Sequence, residues 1–117
     1  MAESKHVEHF RKAHLRSGEE VLASADGYAQ RKSGITRGSL IVTGQRVVFC
    51  HKGWFGEHIE YFELAKITAV ERTASMLQRH RAVISAGSAE IRFLFGTDLA
   101  AEKAVYDALD AGRQRAA

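Results

Sequence analysis

The chain has 117 residues, 45% hydrophobic and 26% charged, which suits one globular domain with its own core, and a second domain is not expected. Its 17 basic and 14 acidic residues leave a net charge of +3, too mild an excess for the dense basic stripe of a nucleic-acid binder. Cys50 is the lone cysteine, which excludes an intrachain disulfide, and no apolar run reaches the roughly 18 residues of a membrane-spanning helix. With no apolar stretch of signal-peptide type near Met1, a cytoplasmic protein is expected.

A polar helix is predicted over residues 3–16, where Val7, Phe10 and His14 share one face at steps of three and four, and Gly18 stops it. A strand follows over 21–30, then a loop over 31–38 holding two glycines and the cations Arg31, Lys32 and Arg37. Residues 39–43 and 46–51 form a hairpin around Thr43-Gly44-Gln45-Arg46. Leu40 and Val42 oppose Ile41, and Val47 and Phe49 oppose Val48 and Cys50, so this hairpin is apolar on both faces and needs a cover outside. The N-terminal helix, the C-terminal helix or a second subunit can supply it.

Lys52-Gly53-Trp54-Phe55-Gly56 makes the next turn, leading into an alternating strand over 57–63 and a short connector over 64–66. Strands are predicted over 67–73, 81–86 and 90–95, the last two joined at Gly87-Ser88. A helix over about 98–112, capped by Thr97 or Asp98, buries Ala101, Val105, Ala108 and Leu109. The expected organisation is a helix over 1–17, a seven-stranded domain over 18–112 and a short basic tail over 113–117.

The hairpin Gly38-x-Leu40-Ile41-Val42-Thr43-x-x-Arg46-Val47-Val48-Phe49, the Gly-Trp-Phe-Gly turn and the acidic-aromatic strand before Lys66-Ile67-x-x-Val70 resemble the bacterial pleckstrin-homology-like (PH-like) domains. The small single-domain kind is the nearer likeness, and GRAM domains are more distantly similar. The resemblance runs from Ser17 to Leu109 and implies a mainly β (α+β) fold: a seven-stranded bent sheet, a partly open barrel, capped by a C-terminal helix, with the N-terminal helix extra to it. It also implies a binding scaffold for lipids, peptides or other subunits, without catalysis and without a cofactor.

In phosphoinositide-binding relatives the first loop carries a lysine and, further on, a basic-x-Arg pair. Lys32 and Arg37 match two of these positions, but Gly38 and Ser39 leave the pair incomplete. Arg31, Lys32 and Arg37 therefore read either as a solvated loop or as an anion site, with Lys52 nearby. Trp54 and Phe55 read either as a contact surface at a hairpin tip or as a lid over the barrel. Val7, Phe10 and His14 are candidates for assembly, because so thin a stripe must dock somewhere and bacterial relatives are similar in often assembling.

Three of the six histidines, His6, His9 and His14, lie in the N-terminal helix, but no third ligand completes a reliable spacing, so no metal site is expected. Ser39, Cys50 and His51 lack the third group and oxyanion turn of nucleophilic catalysis. The expected partner is a protein, either a second copy in a homo-oligomer or another chain, with an anionic lipid surface as the alternative. A nucleic-acid role is not expected, because basic and aromatic residues are too dispersed for a stacking platform.

Overall fold

A computed structural model describes residues 3–74 and 80–116. The elements run α1 (Lys5–Ala13), β1 (Val21–Arg31), β2 (Gly34–Thr43), β3 (Arg46–Lys52), β4 (Glu57–Glu63), a 3-10 turn (Leu64–Lys66), β5 (Ala69–Thr73), β6 (Arg81–Ala86), β7 (Ala89–Phe95) and α2 (Leu99–Ala116). All strand pairings are antiparallel, in the order β4-β3-β2-β1-β7-β6-β5. This is the seven-stranded bent sheet with two helices that the sequence implies.

Three expected spans are corrected. The loop over 31–38 shrinks to Lys32-Ser33, because β1 and β2 stay paired out to Arg31 and Gly34. Gly34 takes φ 128°, a conformation open to glycine, which lets the chain reverse in so short a turn. The expected tail is helical through residue 116, since α2 continues to Ala116. The N-terminal helix is shorter than expected, spanning Lys5–Ala13 with Ser4 as its N-cap.

The sheet's two apolar faces are covered by two different helices. Leu40, Val42, Val47 and Phe49 face the main core with Ile84, Phe93 and Phe95, closed by Val105, Tyr106 and Leu109 of α2. The cap of α2 is Asp98, whose Oδ1 accepts from the Ala101 N–H at 3.0 Å. On the opposite face Ile41, Val48 and Cys50 bury Val7 and Phe10 of α1, with Leu15, Val21 and Ile59 at the margin. Of the three covers left open by the sequence, the outer face takes the chain's own α1. Gly38 must be small, since a Cβ there would lie 2.5 Å from the Cys50 carbonyl oxygen and 2.7 Å from the Phe49 ring.

Where α1 ends, a buried ion pair ties the segments together. Arg46 is 4% exposed and Glu19 is 7%. The guanidinium donates to both Glu19 oxygens, at 2.8 and 3.0 Å, and to the His14 carbonyl at 2.8 Å, and it lies over the rings of Phe10 and Tyr61. Glu19 also accepts from the Thr43 hydroxyl and the Arg16 backbone N–H, at 2.7 and 2.9 Å. Burial by itself raises the Glu19 pKa, but the Arg46, Arg16 and Thr43 hydrogen bonds outweigh it and hold the carboxyl at about 2.

Glu19→Gln leaves a buried guanidinium without its counter-charge and is expected to cost about 3–5 kcal/mol in urea unfolding. Because the folded pKa is depressed, the wild-type carboxylate contributes its stability above the ordinary carboxylate range, and that contribution is lost as pH falls from about 4.3 toward 2. The urea midpoint of the wild type therefore drops across that window, and the drop flattens in Glu19→Gln.

Candidate functional site

The register sets three hairpin tips at one end of the barrel. β1 and β2 turn at Lys32-Ser33, β3 and β4 turn after the Lys52–Glu57 pair, and β6 and β7 turn after the Ala86–Ala89 pair. The turn joining β3 to β4 is closed by a 2.8 Å hydrogen bond from the Gly53 N–H to the Gly56 carbonyl, which leaves Trp54 and Phe55 as its two central residues. Trp54 is 92% exposed and Phe55 is 102% exposed. Neither folds back as a lid, so the barrel-closing alternative is overturned; the core is closed by Phe93, Phe95 and Tyr106 instead. Two adjacent, fully extruded aromatic rings are a costly surface in water unless something covers them.

The three cations of the first hairpin are not brought together. Arg31 shares the alternation of Ala25 and Ala29, on the core side, and donates to Glu60 at 3.0 Å although β2 and β3 lie between their strands in the sheet. It borders a depression of about 820 Å³ with Lys32, Glu60, Arg81, Glu90 and Arg92. Arg92 donates to Glu90, so both Arg31 and Arg92 are engaged by carboxylates and the depression is only mildly positive. Arg37 shares the alternation of Ile41, on the outer side, and its carbonyl accepts from His51 Nδ1 at 2.6 Å. Arg37 instead lines a 360 Å³ pocket with Lys5, His6, Asp26 and His51. Lys52, half-buried at the base of the aromatic tip, donates its backbone N–H to His6 Nδ1 at 2.8 Å.

Of the candidates for assembly, Val7 and Phe10 are 1% and 0% exposed in the chain's own outer core. In this arrangement they present nothing to a second copy. His14 is the C-cap of α1, and its ring turns toward Glu57 at the start of β4, donor to acceptor 2.7 Å. His9 also contacts the same Glu57 oxygen. Sequence spacing does not announce this group, since helix positions five apart diverge and the carboxylate comes from 43 residues beyond His14. Cys50 is fully buried, and burial followed by the nearby Glu57 charge pushes its thiol up to about 11, so it is no nucleophile.

No family model matches the chain, and no curated protein matches it in sequence. Solved structures do. The C-terminal domain of an unknown protein from Leishmania infantum is similar with a TM-score of 0.66 at 18% identity, covering 92% of this chain and 93% of that one. The Vps36 N-terminal PH domain is similar with a TM-score of 0.66 at 15% identity, covering 86% of this chain and 83% of that one. The linker-DH/PH domains of p115-RhoGEF match with a TM-score of 0.63 at 7% identity; 98% of this chain is covered, but only 35% of that one.

Because Trp54 and Phe55 touch no core, Trp54→Ala and Phe55→Ala are expected to move unfolding stability by no more than about 0.5 kcal/mol, whereas Phe10→Ala should cost about 3–5 kcal/mol. Urea unfolding of the three variants checks the contrast. The likenesses, all below a fifth identity, carry architecture and no activity: the chain has the fold of a pleckstrin-homology domain.

Proposed function

We propose that this protein is a non-enzymatic binding module that docks a protein surface through the Trp54-Phe55 tip. The observation that carries the reading is the near-complete exposure of both rings at a closed hairpin turn. Tryptophan and other large aromatics dominate binding energy where they enter an apolar pocket, and a turn fastened at Gly53 and Gly56 holds them out at little entropic cost. The fold supports a binding role in general, since similar folds include a Vps36 PH domain.

A second reading, a peripheral lipid or anion surface, draws on the same aromatics, which suit a bilayer interface, and on exposed Lys32 at the same end. It is the weaker of the two because Arg31 and Arg92 are engaged by carboxylates and Arg37 lies on the other face. Self-assembly would have to use the tip or the edge strands β4 and β5 rather than α1, whose apolar residues are buried in their own chain.

Trp54 is the chain's sole tryptophan, so its emission reports on the tip alone. A red-shifted, water-exposed spectrum at dilution, unmoved by vesicles of mixed anionic phospholipid, is the expected result. A blue shift that grows with protein concentration and resists salt would identify the partner as a second copy. A blue shift on adding the vesicles, abolished by salt, would sink the protein-docking reading in favour of the lipid one.

A further inference from the structure

We infer that His9, His14 and Glu57 form a binding site for a divalent transition-metal ion, with Zn²⁺ the best-fitting one. The ligating atoms of these three side chains all lie within 4.8 Å of one another. Tetrahedral zinc with bonds of about 2.0–2.1 Å places its ligands about 3.3 Å apart, so the cluster is close to the size of a coordination sphere. Both histidines offer Nε2 and aim it at the same carboxylate oxygen, Glu57 Oε2. The two imidazole rings stand edge to face with centroids 5.4 Å apart.

The local backbone explains how ligands from so far apart meet. His9 projects from α1 while the helix ends at Ala13, and His14, at φ −129° and ψ −11°, has left helical geometry. That departure swings its ring back beside His9, which a continuous helix would prevent for positions five apart. Glu57 is the first residue of β4, held opposite Lys52 by the β3–β4 ladder. His6, three residues before His9, is not part of the group; its Nδ1 is taken by the Lys52 N–H.

Two imidazoles and one carboxylate make a mixed nitrogen and oxygen donor set. Such a set suits zinc, copper or nickel and disfavours magnesium and calcium, which take oxygen alone. The Glu57 carboxylate supplies the set's negative charge and balances part of a divalent ion's charge. The side chains are 22%, 30% and 38% exposed, so an ion held by three protein ligands faces water with its remaining position and exchanges readily. Its structural effect would be to fasten the end of α1 to the β3–β4 hairpin. This site stands on its own geometry, whether or not the Trp54-Phe55 tip docks a protein.

The test is calorimetric titration of the untagged full chain with zinc chloride near neutral pH, with magnesium chloride as the hard-cation control. One zinc per chain and no magnesium binding are expected. His9→Ala, His14→Ala and Glu57→Gln should each weaken zinc by more than about 100-fold, beyond the loss typical of a merely supporting residue. His80→Ala, which alters a histidine paired with Glu102 far along the chain, should leave zinc affinity unchanged. Circular dichroism confirms that each variant is folded, and a visible Co²⁺ absorption band present in the wild type and absent in Glu57→Gln gives a second readout. Absence of saturable zinc binding, or one-to-one binding that survives His9→Ala and Glu57→Gln together, would overturn the proposal.

Discussion

The Arg46–Glu19 pair is the interaction on which the rest of the arrangement depends. Removing two charges from water is expensive, and it is tolerated only because nearly every polar atom of the pair is answered: two carboxylate oxygens by the guanidinium, Thr43 and the Arg16 N–H, and the guanidinium also by the His14 carbonyl. Those partners come from the end of α1, the linker to β1 and the β2–β3 turn, while Tyr61 of β4 lies over the guanidinium. A displacement of any one of these segments would strand a buried charge. The pair therefore acts less as a source of net stability than as a fixed meeting point that gives α1 a single docked position.

Once α1 is fixed there, the outer face of the sheet is closed by the chain itself. Val7 and Phe10 cover Ile41, Val48 and Cys50, and Ser4, at the start of the same helix, joins Ser39 and Asp26 in a hydrogen-bonded chain of 2.8 and 2.6 Å. With α2 closing the opposite side, both faces of the central hairpin are spent on internal packing. Among the described residues, the large apolar groups left almost wholly to solvent are then those of the Trp54-Phe55 tip, which is why the proposed contact role rests there rather than on the sheet.

Much of this was legible in the sequence, and unevenly so. Strand alternation around Thr43 and Arg46 announced a two-sided hairpin, and glycine placement announced the turns, because both are local rules read over a few residues. What covered each face was not legible, since a three-residue stripe such as Val7, Phe10 and His14 fits a neighbour's sheet as well as its own. The first hairpin misled for a related reason. Three cations within seven residues look like one patch, but alternation along β1 and β2 sends Arg31 and Arg37 to opposite faces. His9, His14 and Glu57 escaped notice because their meeting depends on where α1 ends and on a strand far away in the chain, neither of which spacing encodes. Arg46 entered the sequence reading only as part of the hairpin turn, and nothing nearby in sequence marked Glu19 as its partner.

Cys50 lends this architecture a further property. Its sulfur is fully buried beneath α1 and donates to the His6 carbonyl at 3.5 Å, so no reagent can reach it while the helix is seated. As the chain's lone thiol, it becomes reactive when α1 lifts away and water enters. The rate at which an alkylating agent consumes that thiol is thus a built-in clock for the lifting of the N-terminal helix, and it outruns global unfolding wherever the helix opens first.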